Sequence, residues 1–497
     1  MSLWKGFFPQ RGIWWAGRFF LALAFLLSLS PAPAWGQIQF FAERVWEQSY
    51  TEHPSTAGFT DQRLSLAVGP RDEIFVTGEQ GSLDSSNLDM YTFKYDGRDG
   101  SLTGTSRFDH EGLQDRPDAM TVDRQGNVYV VGRSFALWGE SGGGCVIRKV
   151  RVRKQPLRPP SRREILPGPG WTVIYPRAAE FKAIAVDGGG NVIVTGWSGY
   201  LGGYLTVKYN SRGQFLWERE YTAGMVKGGA VSVGVDRWDN IFVTGYAVAT
   251  NTGPSKILTI KYLPDGTQDW LQEYQVSLDS IDDSEFYYPL KMLAVDHAGN
   301  AYVTGRDFGG SIANFSVTIK YHVKGGIDWS HIDPSSFGRF TDNYPRDIAV
   351  DAQGAVYVAG TRYEEDGEKI FITKYHSDGI RAWTREISAA YGSYRASALA
   401  LDEDAGQVYV TGTKRALAYD FYTAGLSTSA GTVLWSTTYA GQSNLSVMSF
   451  PFGLVRGQES GTFYLTGRLT QNEIVTLKYR VRQMSIGAVG AQGAGEQ

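Results

Sequence analysis

The strongest constraint on the fold of this chain is a motif that recurs eight times along it. Each copy has an Ala-Val-Asp or related triplet, a short polar turn, and a run of β-forming residues ending in Thr-Gly or a variant of it, as in AVDHAGNAYVTG (294–305). The closing glycines are Gly78, Gly132, Gly196, Gly245, Gly305, Gly360, Gly412 and Gly467, with a mean spacing of about 56 residues. Repetition at this length predicts an architecture built from one repeated unit.

Each copy has the chemistry of a β-hairpin. Its two runs of β-forming residues flank a turn of the type Asp-x-x-Gly-Asn, in which the aspartate accepts hydrogen bonds from turn amides and Gly or Asn adopts a positive φ. One such aspartate per repeat leaves each carboxylate alone, so we interpret these residues as turn formers and not as calcium ligands. They are Asp123, Asp187, Asp236, Asp296, Asp351 and Asp402.

A second hairpin follows the first in each repeat. The pattern Lys-Tyr-x-x-x-Gly-x-x-x-Trp occurs at 208–217, 261–270, 320–329 and 374–383, and its tryptophan begins a fourth strand. Because these tryptophans share one repeat position, we expect them to pack between units. Four antiparallel strands per repeat, with no helical period, predict an all-β fold, a β-propeller.

The two ends of the repeat region predict a closed ring. The last copy lacks a fourth strand, whereas Val45–Tyr50 (VWEQSY) resembles the fourth-strand segment LWEREY at 216–221. An N-terminal strand that joins the last blade would leave no open sheet edge. We therefore predict eight four-stranded blades. Seven blades remain an alternative if the degenerate first or last copy does not form one.

The N-terminal segment has the features of a signal peptide. Lys5, Arg11 and Arg18 precede a 12-residue apolar run at 19–30, and residues 32–34 (Ala-Pro-Ala) form a small-x-small cleavage site. That run is too short to cross a bilayer, which takes about 20 residues. We expect residues 1–34 to be removed near Ala34, 35–483 to form one propeller domain, and 484–497 to be a flexible tail. The mature protein would be exported, periplasmic or secreted, with no membrane span.

Composition excludes several classes of protein. With 48 Lys+Arg against 51 Asp+Glu, the chain has no global basis for binding nucleic acid. A single cysteine, Cys145, excludes a disulfide scaffold and cysteine-based metal sites; we expect a half-buried thiol there. The six histidines lack metal-ligand spacing, and the Gly-x-Ser-x-Gly sequence at 139–143 lies in a glycine-rich loop rather than a nucleophile elbow. We predict no metal, no cofactor and no catalytic residue.

A basic segment stands out near residue 150. Eight lysines and arginines occur between 148 and 163 without an intervening acid, and prolines keep the segment extended. It is interpreted either as a solvated insertion in blade two or as an arm that binds anions. The candidate arm residues are Arg151, Arg153, Lys154, Arg162 and Arg163.

Propeller geometry places a second set of candidates at the mouth of the central channel. They lie just after the closing glycines or in the links between blades, where aromatic, acidic and guanidinium groups suit sugars or peptide segments. The alternative is ordinary surface-loop composition. The candidates are Arg133, Trp197, Tyr246, Asp282, Asp283, Tyr288, Arg306, Tyr344, Arg346, Tyr394, Arg395 and Arg468.

The repeated AVDxxGNxYVTG motif, followed by a TxKY strand, resembles the SBBP-type β-propeller repeat of secreted bacterial proteins over roughly residues 45–481. The resemblance implies an exported bacterial propeller used for binding; its usual seven blades differ from the eight copies here. We expect a monomeric binding or scaffold module for a protein or glycan ligand, anionic ligands included. An enzyme (a lyase, a glycan hydrolase or a quinone-dependent dehydrogenase) with its site at the channel mouth is the alternative, and an adhesive surface protein is a third.

Overall fold

The computed structural model describes the greater part of the chain, with gaps at the N-terminus, in several links and in the C-terminal tail. The described residues are 38–50, 64–81, 88–135, 143–150, 152, 170–177, 179–199, 202–222, 224–225, 227–248, 255–276, 291–308, 314–333, 342–365, 367–388, 392–415, 419–440, 449–469 and 473–485. A compact unit spans Phe40–Gln483, and the strand ends outside it belong to a second, terminal unit.

The described residues form β-strands and no helices. In chain order the strands are β1 (Ile38–Tyr50), β2 (Ser65–Val68), β3 (Glu73–Gly81), β4 (Leu88–Asp96), β5 (Leu102–Phe108), β6 (Gln114–Val122), β7 (Val128–Phe135), β8 (Gly143–Val150), β9 (Trp171–Ile174), β10 (Ala179–Val186), β11 (Val192–Ser198), β12 (Tyr204–Tyr209), β13 (Phe215–Tyr221), β14 (Lys227–Val235), β15 (Ile241–Val248), β16 (Ser255–Tyr262), β17 (Gln268–Val276), β18 (Leu293–Val295), β19 (Ala301–Phe308), β20 (Asn314–His322), β21 (Gly326–Asp333), β22 (Asp342–Val350), β23 (Val356–Glu364), β24 (Gly367–Tyr375), β25 (Arg381–Ile387), β26 (Ser393–Asp402), β27 (Gln407–Arg415), β28 (Tyr419–Ser427), β29 (Val433–Tyr439), β30 (Phe450–Arg456), β31 (Thr462–Leu469) and β32 (Glu473–Ser485).

These strands form eight four-stranded sheets, which are the blades of a β-propeller. Blades 1 to 7 are β2–β5, β6–β9, β10–β13, β14–β17, β18–β21, β22–β25 and β26–β29, each with its strands paired in chain order. Blade 8 has the order β30, β31, β32 and β1 from the channel outward. The innermost strands contact one another in cyclic order, with β30 against β2. Both the eight-blade prediction and the closure by an N-terminal strand are confirmed.

The hydrophobic core lies between the blades. Eight clusters of buried side chains occur among the described residues, one at each junction of neighbouring blades. The cluster between blades 8 and 1, for example, joins Trp46 and Tyr464 to Phe93 and Tyr95. Each blade is therefore stabilised mainly by its neighbours, as expected for a repeat protein.

The predicted turn aspartates hold the inner hairpins. Asp123 Oδ1 accepts the N–H groups of Gln125 and Asn127, and its Oδ2 accepts the Asn127 amide and the Tyr129 hydroxyl. Gly126 in this turn has a φ of +81°. The other five aspartates likewise accept main-chain N–H groups within their own turns. Their predicted role in the turns is confirmed.

A lysine and a tryptophan tie most blades to the next one. Lys208 Nζ and Trp217 Nε1 of blade 3 donate to the carbonyl oxygen of Pro264 in blade 4, at 3.0 and 3.1 Å. The indole packs on Gly266, which has a φ of +85° and where a Cβ would lie 2.7 Å from the ring. The same lysine, tryptophan and carbonyl arrangement, which we term the latch, recurs at Lys261–Trp270–Val323, Lys320–Trp329–Ser377, Lys374–Trp383–Thr428 and Lys478–Trp46–Gly97.

Three of the eight junctions depart from the latch among the described residues. In blade 2, Trp171 Nε1 donates to the Ser211 carbonyl oxygen of blade 3 at 3.0 Å, whereas the Lys149 ammonium lies over the Tyr129 ring of its own blade at 5.5 Å from the centroid. In blade 1, Gly104 stands opposite Lys94, where other blades have the tryptophan. In blade 7, Trp435 is present but lies opposite Gly425 and donates to Gln407 of its own blade at 2.9 Å. The third and fourth strands of blade 8 come from opposite ends of the chain, so no turn between them offers Trp435 a carbonyl group.

Candidate functional site

A central channel is lined by the innermost strands of all eight blades and has a cavity volume of about 430 Å³. In six blades the described part of the innermost strand carries a β-bulge, seen as a one-residue shift in its pairing. The bulged residues all line the channel and are Asp118, Lys182, Val231, Arg346, Ser397 and Phe452. Leu64 and Lys291 line it from blades 1 and 5. A β-bulge changes the direction of the side chain at the bulged position. The identity of that one residue in each strand therefore determines which side chain the strand contributes to the channel wall.

We call the upper face the side on which the innermost strands begin. The antiparallel topology places the links between blades and the links from second to third strand on this face. The candidates that follow the closing glycines therefore lie toward the upper face.

These post-glycine residues contact the next blade around the ring. Arg133 pairs with Glu180 of blade 3, the Trp197 indole lies against Gly229 of blade 4, and the Tyr246 hydroxyl accepts the N–H of Arg306 in blade 5 at 2.9 Å. Arg468 donates to the Glu79 carbonyl of blade 1 at 3.4 Å. Their side chains thus help to hold neighbouring blades together, a contribution that the sequence repeat did not reveal.

An ionic network occupies the blade 2 and blade 3 side of the mouth. Arg133 Nε lies 3.0 Å from Asp118, and its Nη1 lies 2.6 Å from Glu180. Lys182 pairs with the same Glu180 at 2.5 Å and lies over the Trp197 ring at 5.2 Å from the centroid. Cations and carboxylates on this side therefore compensate one another.

Glu79 and Arg468 lie deeper, at the junction of blades 8 and 1, where Arg468 donates to the Glu79 carbonyl oxygen. Burial raises the pKa of Glu79. The positive charge of Arg116, whose Nε lies 3.3 Å from the carboxylate, is the main influence that lowers it. Burial also lowers the pKa of Arg468 to about 10, and the negative charge of Glu79 opposes this shift. Both side chains are buried, so this pair joins blades beneath the surface.

A cluster of arginines and tyrosines occupies the opposite side of the mouth, on blades 5, 6 and 7. The Arg306 guanidinium lies 4.0 Å from the Tyr344 ring centroid, and the rings of Tyr344 and Tyr363 meet edge to face at 4.9 Å. Arg395 lies over the Tyr363 ring at 5.8 Å, and Arg346 lies 6.0 Å from Tyr344. We call these five residues the Arg–Tyr cluster. The structure brings four predicted candidates together here and adds Tyr363.

The members of the Arg–Tyr cluster differ in exposure. Arg306 is buried, Tyr344, Tyr363 and Arg346 are partly exposed, and the Arg395 side chain is 48% exposed. Arg395 donates to Glu368 of blade 6 through Nε at 2.7 Å. Guanidinium groups stack on aromatic faces and also bind carboxylates, so this surface can hold flat and anionic groups together.

Tyr394 lies beneath this surface. It is buried, and its ring meets that of Tyr422 edge to face at 4.9 Å. It belongs to the hydrophobic cluster between blades 6 and 7. Its neighbour Arg395 projects toward solvent, in keeping with the alternation of side chains along a strand.

Eight predicted residues lie outside the described residues. They comprise all five candidates of the basic arm and three candidates in the link between blades 4 and 5, namely Arg151, Arg153, Lys154, Arg162, Arg163, Asp282, Asp283 and Tyr288.

Sequence reasoning missed a group of three carboxylates between blades 1 and 2. Oxygen atoms of Asp89, Asp109 and Asp115 lie within 4.8 Å of one another. Arg107 Nε donates to Asp89 at 2.5 Å, and its Nη2 lies 3.6 Å from Asp109. Because Arg107 contacts two of the three carboxylates and Asp115 accepts the His110 N–H at 2.7 Å, we assign no metal to the group. These residues lack the regular spacing of a ligand motif and come together only when the blades pack.

Cys145 is more deeply buried than its sequence context predicted. It is 1% exposed on β8, and its thiol donates to the Ala179 carbonyl oxygen at 2.8 Å. Burial raises the pKa of this thiol to about 12. The half-buried thiol of the sequence interpretation is therefore wrong, because Phe181 and other side chains of blade 3 cover it.

Solved structures match the chain at low sequence identity. Prolyl oligopeptidase B from Galerina marginata is 10% identical with a TM-score of 0.42, over 86% of this chain and 55% of the oligopeptidase, so the chain spans about half of that enzyme's length. The β-propeller domain of the Trilobed protease from Pyrococcus furiosus is 10% identical with a TM-score of 0.39, over 77% of this chain and 94% of that domain. The polysaccharide lyase Uly1 is 9% identical with a TM-score of 0.41, over 84% and 89% of the two chains.

No family model matches the chain, the SBBP repeat included. No curated protein matches it either. The described residues contain no helix long and apolar enough to cross a membrane. The fold class is thus that of an eight-bladed β-propeller.

Proposed function

We propose that this protein is a binding module whose protein or glycan ligand lies on the upper face, at the channel mouth beside the Arg–Tyr cluster. The observation that carries the proposal is that this cluster joins three blades around partly exposed Tyr344 and Tyr363, with exposed Arg395 at its edge. Aromatic and arginine side chains are enriched where proteins bind ligands, since they combine apolar area with directed hydrogen bonds.

Binding is favoured over catalysis by the state of the carboxylates that line the channel. Asp118 pairs with Arg133 at 3.0 Å. Asp347 accepts the N–H groups of Ile348 and Leu399 at 2.8 and 2.9 Å. Carboxylates engaged in this way stabilise the ring, whereas a general acid or base needs an oxygen within reach of substrate.

The experiment is capture on an array of immobilised glycans and peptides. We expect the wild-type protein and Trp238→Ala to retain the same ligands, because exposed Trp238 lies in the first-to-second strand turn of blade 4, on the lower face. Tyr344→Ala should lose most of this retention. Equal retention by Tyr344→Ala, or no ligand retained by the wild type, would contradict the proposal.

We also propose that the basic arm adds an anion-binding site and that the chain is exported. Retention on an anionic glycan or lipid matrix should fall steeply with salt, because exposed charges are screened beyond about 8–10 Å at physiological ionic strength. Replacing Arg151, Arg153, Lys154, Arg162 and Arg163 by serine should abolish that retention. Co-elution of this variant with the wild type would contradict the anion-binding role of the arm.

The test of export is N-terminal sequencing of protein recovered outside the cytoplasm. The sequence should begin after Ala34, and an intact Met1 there would argue against cleavage.

A further inference from the structure

Tyr363 lies between two carboxylates on one face of blade 6. It is paired with Asp342 of β22 on one side and with Glu368 of β24 on the other. Residues directly opposite one another on antiparallel strands place their side chains on the same face of the sheet, with Cβ atoms about 4.5–5.5 Å apart. Tyr363 is therefore flanked by acidic groups on its own face of the sheet, where its ring also meets that of Tyr344 at 4.9 Å.

Glu368 is joined to Arg395 of blade 7 by two hydrogen bonds. Arg395 Nε donates to Glu368 Oε2 at 2.7 Å, and Arg395 Nη2 donates to Glu368 Oε1. The Glu368 side chain is 13% exposed and that of Arg395 is 48% exposed, so the pair lies at the surface. The same guanidinium lies over the Tyr363 ring at 5.8 Å from the centroid. The edge of Arg395 that could hold a carboxylate of a ligand is thus occupied by a carboxylate of the protein.

Other charges near the two tyrosines are compensated as well. Glu364 pairs with Lys369 of the same blade. Burial lowers the pKa of Arg306, and the negative charge of Asp342 is among the influences that oppose this shift. Because cations and carboxylates alternate around the tyrosine rings, charge complementarity favours neither a strongly acidic nor a strongly basic ligand here.

We propose that Tyr363, Glu368 and Arg395 form a subsite for a neutral sugar unit, with Tyr344 extending the aromatic surface; this inference rests on the proposed function. The partly exposed Tyr363 ring offers apolar area to the C–H face of a sugar. A carboxylate oxygen can accept more than one hydrogen bond and a guanidinium has five N–H donors, so both groups can form bonds beyond the two that join them. One sugar hydroxyl can then donate to Glu368 while a neighbouring hydroxyl accepts from Arg395.

The same arrangement disfavours charged polymers. A carboxylated sugar would bring its charge close to Asp342 and Glu368 and would compete with Glu368 for Arg395. A basic peptide would in turn compete with Arg395 for Glu368. Neutral hydroxyls both donate and accept hydrogen bonds, so they can bind to this ion pair without separating it.

The test is isothermal titration calorimetry of the full-length protein with five probes. Three are neutral hexasaccharides (maltohexaose, cellohexaose and mannohexaose), and the others are an oligogalacturonate and a poly-lysine peptide. We expect at least one neutral hexasaccharide to bind, and to bind more tightly than either charged probe. Its affinity should change little with salt, because no ion pair forms between ligand and protein.

Variants of the ion pair test the subsite itself. Glu368→Gln and Arg395→Gln should each weaken binding of that hexasaccharide about tenfold or more, because each removes a hydrogen bond to a charged group. The matched control is Arg98→Gln. Arg98 also donates through Nε and Nη2 to one carboxylate, that of Asp96, but it lies in the third-to-fourth strand turn of blade 1 on the lower face. This control should bind like the wild type, and all three variants should keep a melting temperature near that of the wild type, since both pairs are at the surface.

The outcomes separate this inference from the proposed function. Equal affinity of the wild type, Glu368→Gln and Arg395→Gln for the hexasaccharide would overturn the subsite. If the oligogalacturonate or poly-lysine binds best and Tyr344→Ala loses it, the mouth is still a binding site but the neutral-sugar inference fails. If the wild type binds none of the five probes, the inference also fails, and the array experiment alone then decides the proposed function.

Discussion

The indole N–H of Trp46, in the outermost strand of blade 8, donates to the carbonyl oxygen of Gly97 in blade 1 at 3.1 Å. Lys478 donates to the same oxygen, and the Trp46 ring packs on Gly100, which has a φ of +74°. This is the latch found between internal blades, here made by a residue from the start of the repeat region. The junction that closes the ring is therefore built like the others.

Replacing Trp46 by alanine should lower the melting temperature by several degrees. Removal of a buried tryptophan costs about 3–5 kcal/mol, and here the hydrogen bond to Gly97 is also lost. The measurement is thermal unfolding followed by circular dichroism, with Trp238→Ala as control because that indole is 48% exposed. Equal melting temperatures for the two variants would contradict the structural role of the closing strand.

Asp187→Ala should destabilise the protein much more than Asp265→Ala. Asp187 accepts two hydrogen bonds from Asn191 and lies 2.8 Å from the buried Lys208 ammonium, so its removal leaves that charge uncompensated and costs about 3–5 kcal/mol. Asp265 is an exposed turn residue that accepts the Thr267 N–H. Denaturant unfolding of both variants tests this difference, and similar midpoints would argue against the turn aspartates as structural anchors.

Cys145 should be inert in the native protein at pH 8. Its pKa of about 12 leaves very little thiolate at that pH, and the side chain is 1% exposed. We expect Ellman's reagent to detect no thiol until denaturant is added. The control is Gln353→Cys, placed at an exposed turn, which should react with one equivalent under native conditions. Rapid reaction of the native wild type would contradict the burial of Cys145.

Asp96 should titrate well below an ordinary aspartate. Hydrogen bonds from the Arg98 side chain and then from its N–H lower its pKa from 3.8 to about 2. Since the folded pKa is below the unfolded one, the stability that Asp96 contributes is present above pH 3.8 and is lost as the pH falls toward 2. Carboxyl NMR titration of the wild type and Arg98→Gln tests this, with the variant expected to titrate closer to 3.8. An unchanged titration in Arg98→Gln would exclude the proposed cause.

The blades were predictable because their determinants are local and repeated. The aspartate turns, the Lys–Trp hairpins and the match of Val45–Tyr50 to a fourth strand each depend on a few neighbouring residues. One copy of such a pattern is weak evidence, but its repetition along the chain predicts the architecture of the whole ring. Eight blades and the closing strand followed from these patterns.

The site was less predictable because it depends on contacts between repeats. The motif shows that Arg133 and Arg306 follow a closing glycine, but not that Glu180 and Tyr344 of the next blades meet them. The bulge at Arg346 is likewise a property of strand pairing, and Tyr363 has no repeat signature. Hence the sequence indicated the mouth of the channel but not the grouping of residues around it.

The pairing of β1 with β32 also sets an order of events during synthesis. β1 leaves the ribosome before β2–β31, and β32 is translated only after them. At roughly 5–20 residues per second, the intervening chain takes on the order of tens of seconds to translate. Throughout that time β1 lacks its partner strand β32 and blade 8 is incomplete. A chaperone or a slow translation step would therefore be most effective at these two segments.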